Sequence, residues 1–530
     1  MTLSYKTVLY TAAVALLMAF TYAIVYGAHN GSLTSWHDLN QQLTGSTIMS
    51  GEGVRYDFPL HSDEWAHITH AVYLMGGGGL DFVAPQYKRR VFYTDYEPGF
   101  DVFLAGVFYV TGADPVLDYK YLPAIFAALG SLGAFILTRH LTGSFRTGIL
   151  SMLFFAALRS DINILGPWFF VPYTMAIPLV YLSAVFFLKG LNDKRTYLIL
   201  FFAVMLAEFA VYAAYALVST AVFTAYLVFH ARSSKRAYYA LTVIGGLLLS
   251  GVLGFHLLAE SSLGGGLTGT LRLIADRVTF RASDEVAENI FVTHNPVATY
   301  GLLPSIMAFL GLYAVSMGVY RNRKSPILIP WVLFSLVSLL CVKLYGVTFF
   351  ARHVRVLYFG MLGMVPLSAI GLDLLLGYCT RAVEATRVRH GRSLAAACAI
   401  LLAGLVFLAA FSGYYTVPEY RFPYHVLERQ DYDAIVWLHS NWGEGNVVLA
   451  SPSISEAVYP LSRNFVVESN DLSSADPVFV RFMGGGCAEG SRIIEDNGVD
   501  FVLSRWKLGC PEYLTIVYGG GDYLYRVNKP

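Results

Sequence analysis

Apolar runs of about 20 residues recur from Val8 to Tyr414. As a helix, such a run crosses the ~30 Å hydrocarbon core of a bilayer. The pattern predicts roughly eleven spans, near 8–26, 121–138, 148–159, 168–188, 197–212, 213–229, 238–258, 298–319, 326–345, 356–378 and 394–412. The stretch Gly99 to Val110 is too short to span easily and predicts an interfacial or re-entrant helix. The first run follows Lys6 without a convincing small-residue cleavage site, so it reads as a retained helix.

Beyond residue 418 the pattern changes. In DYDAIVWLHSN, Ala434, Ile435 and Leu438 fall at helical spacing with Asp431 placed to cap. NVVLAS (446–451), NFVVES (464–469) and DFVLS (500–504) read as short buried strands. SRIIEDNG reads as a helix stopped by Gly498. Helices alternating with strands predict a small α/β domain. The expected fold is a polytopic α-helical membrane protein with this domain at its C-terminal end. Its division is a transmembrane domain over 1–417, carrying a long first loop (27–120), and the α/β domain over 418–530.

Composition agrees with the pattern. The 530 residues are 56% hydrophobic and 14% charged, with a mean hydropathy of +0.53. A soluble chain carries nearer a quarter charged residues. The net charge of +1 gives no footprint for nucleic acid. Charge then orients the chain, because cytoplasmic loops are rich in Lys and Arg. With the N-terminus inside, every second connection is basic: Arg139 and Arg146; Lys189, Lys194 and Arg195; Arg232, Lys235 and Arg236; Arg321, Arg323 and Lys324; Arg381, Arg387, Arg389 and Arg392. The first loop, the turn near Arg159, the loop 259–297, the segment Lys343 to Arg355 and the tail then lie outside. Cys487 and Cys510 are the two cysteines of the tail, where an oxidising compartment permits a disulfide.

The conspicuous polar residues gather on that outer side. HSDEWAH, residues 61–67, places Asp63 and Glu64 between His61, Trp65 and His67. One reading is structural: Ser62 or Asp63 caps a helix beginning near Glu64. The other is chemical. Asp63 is a general base for a hydroxyl acceptor, and Glu64 holds that acceptor or perturbs its neighbour by like-charge repulsion. Asp63, His67 and His70 share one helical face, a spacing compatible with a divalent metal. Satisfied interfacial histidines are the commoner outcome, so no metal is assigned. Glu208, within an apolar run, is a functional candidate or a partner of Tyr212 or another helix.

The run D-E-x-x-H-x-x-x-A-x-x-L-x-x-G, Asp63 to Gly77, resembles the first-loop motif of the GT-C superfamily of membrane glycosyltransferases. YEPGF (96–100) resembles that family's Y-P-P-G-F/L segment, which leads into a juxtamembrane helix. Residues 129–161 resemble its helix pair joined by a basic cytoplasmic turn, and the tail resembles the outer domain of archaeal and bacterial members. The resemblance implies a polyprenyl-phosphate-linked sugar as donor and Asp63, with Glu64 adjacent, as the catalytic acids. It implies lipid-phosphate binding by Arg352 or Arg355, with His353, in FFARHVRVLYF. Independently, an Arg fork suits phosphate oxygens, and three basic residues in four positions outside run against the positive-inside bias. Acceptor or sugar binding falls to Tyr96, Glu97, Arg159, Asp161 and His294.

The expected activity is therefore inverting transfer of a sugar from a polyprenyl-phosphate-linked donor to a hydroxyl of a glycan, lipid or protein acceptor at the outer membrane face. The enzymatic alternative is an oligosaccharyltransferase or glycan-polymer ligase using a pyrophosphate-linked donor. RSDIN lacks the paired acid of the oligosaccharyltransferase turn, and SNWGEG does not match that group's W-W-D-Y-G segment. An alternative of another class is a transporter or flippase of lipid-linked glycan. That activity would spread polar residues along a path through the membrane rather than at one face.

Overall fold

The structure, a computed structural model, describes residues 5–29, 57–80, 83–89, 91, 97–158, 166–230, 239–246, 279–293, 296–319, 324–385, 397, 400–406, 408, 427–469 and 477–528. In chain order, α1 (Tyr5–His29) precedes α2 (Ser62–Met75) and α3 (Pro98–Thr111). Next come α4 (Tyr121–Thr142), α5 (Phe145–Ala156), α6 (Pro172–Asn192), α7 (Thr196–Val211) and α8 (Ala213–His230). Strand β1 (Thr279–Arg281) is followed by α9 (Asp284–Thr293), α10 (Pro296–Tyr300), α11 (Leu302–Ser316) and α12 (Leu328–Tyr345). Strand β2 (Val347–Phe349) leads into the long α13 (His353–Ala385). The tail contributes α14 (Arg429–Trp442), β3 (Val447–Leu449), α15 (Pro452–Ser462), β4 (Phe465–Val466), α16 (Val478–Gly484), α17 (Gly486–Asn497), β5 (Phe501–Ser504), β6 (Leu514–Gly519) and β7 (Tyr523–Val527).

The predicted fold class holds: an apolar helical membrane protein with a small sheet domain. Among the described residues, five helices are long and apolar enough to cross a bilayer. Shorter apolar helices include Phe145–Ala156, Thr196–Val211, Ala213–Phe229 and Leu302–Ser316. The expected spans at 238–258 and 394–412 are described only in part, as helical residues within 239–246 and 400–406.

Two compact units result, one of Met1–Val54 with Leu122–Phe422 and one of Arg55–Tyr121 with Pro423–Pro530. In the first, α13 is the packing centre, lying against α5, α11 and α12. It meets α11 backbone to backbone. A Cβ at Gly311 would sit 1.9 Å from the Leu367 carbonyl oxygen, and one at Gly371 1.9 Å from that of Met307. Small residues at such crossings let helices approach closely where lipid supplies no hydrophobic drive. Pro366 inside α13 has no N–H to donate to the Leu362 carbonyl. The Tyr181 hydroxyl on α6 donates to that carbonyl instead, at 3.0 Å. Trp331 Nε1 and Ser335 Oγ on α12 bond the Phe359 and Val356 carbonyls, both at 2.9 Å. The antiparallel β1–β2 pair precedes α13, and Phe350, at φ +71°, turns the chain toward it.

The second unit joins the first loop to the tail. Its five-stranded sheet has the order β4-β3-β5-β7-β6, parallel on the β4-β3-β5 side and antiparallel through β7 and β6. Leu449, Phe479, Phe482, Ile493, Ile494, Val502 and Tyr525 form its core. The three strands and two helices read from the tail sequence are all present; β6 and β7 were not foreseen. Cys487 and Cys510 form a disulfide. Helix α2 packs on both α3 and α15. Val466 N–H donates to the Gln86 carbonyl at 2.9 Å, and Tyr87 Oη bonds Ser469 Oγ at 2.7 Å. The loop segment is thus hydrogen-bonded to the tail with which it is grouped.

Candidate active site

The two carboxylates that open α2 do different work. The helix cap is His61, not Ser62 or Asp63 as the sequence suggested. Its Nδ1 accepts the Asp63 N–H at 3.1 Å, satisfying a donor that the helix leaves orphaned. Glu64 completes a capping box. It is fully buried, and its Oε2 accepts the amides of Leu60 at 2.7 Å and His61 at 3.1 Å. Asp63 points elsewhere: its side chain is 42% exposed, with His61 Nδ1 3.4 Å from Oδ1. One acid therefore builds the helix start and the other is accessible to a ligand.

One turn on, His67 Nδ1 meets Asp101 Oδ1 at 2.8 Å, joining α2 to α3. Both side chains are buried, and the imidazole ring lies edge-on to Phe100. Burial alone would push the imidazole pKa down. The charge and hydrogen bond of Asp101, aided by Glu97 and Asp63, outweigh it and raise His67 to about 9. His67 is an imidazolium at neutral pH. Tyr119 is buried nearby, its phenol pushed well up by desolvation and then by the charges of Glu64, Asp101 and Asp63. Glu97 is the N-terminal boundary residue of α3.

The metal-compatible spacing read from the sequence is not drawn together into a site. His67 Nδ1 is taken by the Asp101 carboxylate. Asp63, His67 and His70 do not form a ligand set, and among the described residues no group of three or more His, Cys, Asp or Glu side chains could hold a metal ion.

In the other unit, Arg355 lies in the first turn of α13 and Arg352 just before it, exposed. Arg355 Nη1 donates to Tyr173 Oη at 3.0 Å, with the guanidinium 4.2 Å from the Tyr173 ring centre. His353, at the start of α13, is half-buried. Glu208 is buried and accepts from Ser219 Oγ on α8 at 2.7 Å, so its partner is on another helix. Tyr96, Arg159, Asp161 and His294 lie outside the described residues.

The structure thus groups Asp63, Glu64, His67 and Glu97 around α2 and α3, and separately groups Arg352, His353 and Arg355 at the start of α13. Sequence reasoning missed Asp101, Tyr119 and Tyr173. Asp101 did carry a signal: it is the one acid in the apolar helix PGFDVFLAGVFYVT, and an unpaired buried charge is costly. Tyr173 carried none, because an aromatic residue in an apolar run is ordinary.

No protein-family model matches the chain, and no curated protein matches it by sequence. Solved structures do match its fold. The Archaeoglobus fulgidus oligosaccharyltransferase in the apo form matches with a TM-score of 0.61 at 13% identity, over 93% of this chain and 69% of its own. Archaeal oligosaccharyltransferase AglB from the same organism, in complex with an inhibitory peptide and a dolichol-phosphate, matches at 0.58 and 13% over the same shares. ArnT from Cupriavidus metallidurans matches at 0.60 and 11%, over 97% of this chain and 98% of its own. The chain shares the fold of these structures.

Proposed function

We propose that this GT-C-fold protein is an inverting glycosyltransferase that moves a sugar from a polyprenyl-phosphate carrier to an acceptor hydroxyl. The observation that carries the reading is the division of labour at α2: Glu64 is consumed by the helix cap, while Asp63 stays accessible at the same turn. In this reading the acceptor oxygen attacks the anomeric carbon as Asp63 takes its proton. The carbon–oxygen bond to the lipid phosphate breaks on the opposite side, which inverts the anomeric centre. Polyprenyl phosphate leaves with the electron pair, its charge met by the guanidinium of Arg355 or Arg352, with His353 beside them. Glu97 borders the acceptor side, and Tyr96, Arg159, Asp161 and His294 remain assigned to acceptor or sugar binding.

The fold neighbours support the donor class, since AglB was solved with a dolichol-phosphate. Sidedness rests on the basic connections and on the Cys487–Cys510 disulfide, which suits an oxidising compartment. The N-terminus is then cytoplasmic, and the α/β domain and Asp63 extracytoplasmic. The test is Asp63→Asn in the purified protein, with donor taken from its co-purifying lipid. His61, not residue 63, supplies the capping side chain, so Asn leaves the helix start intact. Transfer should fall about a hundredfold or more with donor binding retained. Full activity in Asp63→Asn refutes the assignment.

A further inference from the structure

Two arginines compete for the phosphate role, and the structure treats them differently. Arg352 is exposed. Arg355 is held twice. Its guanidinium lies against the ring of Tyr173, to whose hydroxyl it donates, and its carbonyl accepts from Tyr215 Oη at 3.2 Å. Tyr173 is in the first turn of α6 and is 2% exposed. Its own ring is packed by those of Tyr212, Tyr215 and Tyr358, at centroid distances of 5.9, 5.9 and 6.1 Å.

The Tyr173 ring and hydroxyl together fix the plane of the guanidinium. A fork fixed beforehand loses less side-chain entropy when it binds an anion. We propose that Tyr173 is a positioning residue that presents Arg355, rather than Arg352, as the cation for the phosphate of the lipid carrier. The inference rests on the reading above that polyprenyl phosphate binds at the start of α13, and it names the residue that selects the anchor.

The test uses the full-length protein in lipid nanodiscs and measures binding of decaprenyl phosphate, uncharged decaprenol and inorganic phosphate. Tyr173→Leu should weaken decaprenyl phosphate about tenfold and leave decaprenol unchanged. Tyr173→Phe keeps the ring, loses the hydroxyl and should cost about threefold; it also serves if the Leu variant fails to fold. In the Arg355→Ala background Tyr173→Leu should cost nothing more, the coupling expected of a residue that acts through another. General structural damage would instead weaken decaprenol equally and add to Arg355→Ala. Either of those results overturns the proposal, as does unchanged decaprenyl phosphate binding in both Tyr173 variants while Arg355→Ala is impaired. Normal binding in Arg355→Ala overturns the proposal, since Arg355 is then not the anchor; normal binding in the Arg352→Ala, Arg355→Ala double variant as well overturns the underlying functional reading. Inorganic phosphate binding as tightly as the lipid overturns the lipid source.

Discussion

Replacing Asp101 by Asn tests the electrostatics of the first loop most directly. The change keeps the size of the side chain and removes the charge that faces His67 Nδ1 at 2.8 Å. A rise of the imidazole from 6.5 to about 9 corresponds to roughly 3 kcal/mol of preference for its charged form. His67 gains this in the folded state only. The stabilisation is therefore fully present below pH 6.5 and is lost as pH rises through about 9. Asp101→Asn should be destabilised by about 3 kcal/mol at pH 6, within the range for breaking a buried pair. The gap to wild type should narrow steadily between pH 6.5 and 9.5. Intrinsic fluorescence melts of the detergent-solubilised protein follow this unit through Trp65, which is fully buried in α2. A wild-type-to-mutant gap that is absent at pH 6, or that widens toward pH 9.5, would show that His67 is not held as a cation.

Three further outcomes follow from packing and covalent structure. Glu64→Gln should lower the melting temperature, because two backbone amides lose a charged acceptor at about 1–2 kcal/mol in all, while decaprenyl phosphate binding persists; a mutant of unchanged stability that loses only transfer would return Glu64 to a catalytic role. Gly311→Ala or Gly371→Ala should disrupt the α11–α13 crossing and sharply reduce the yield of monodisperse protein on size exclusion, since each new methyl would meet a backbone oxygen at 1.9 Å; normal yield and melting would contradict this crossing. Cys487→Ser should cost about 3 kcal/mol for a loop closed over 23 residues, read in melts with and without reductant; wild-type protein insensitive to reductant under unfolding conditions would count against the bond.

The sequence by itself determined the class of the fold. Apolar runs of spanning length fix helices without reference to partners, since a backbone in lipid must satisfy its own hydrogen bonds. Alternation and punctuation in the tail likewise located β3, β4, β5, α14 and α17. Strands β6 and β7 escaped because TIVYGGGDYLYRV alternates weakly, with Ile516 and Arg526 exposed, and they are defined by pairing with β5 and each other. The sequence also pointed to HSDEWAH, because paired acids beside a greasy segment stand out by composition. It could not decide which acid does what. That depended on His61 accepting the Asp63 amide and on Glu64 folding back to Leu60, both set by where the helix begins. Distant partners were beyond it for the same reason. His67 meets Asp101 34 residues away, and Arg355 meets Tyr173 across 182. Such pairs arise from helix packing, which no local pattern encodes, and on them depend the charge of His67 and the orientation of Arg355.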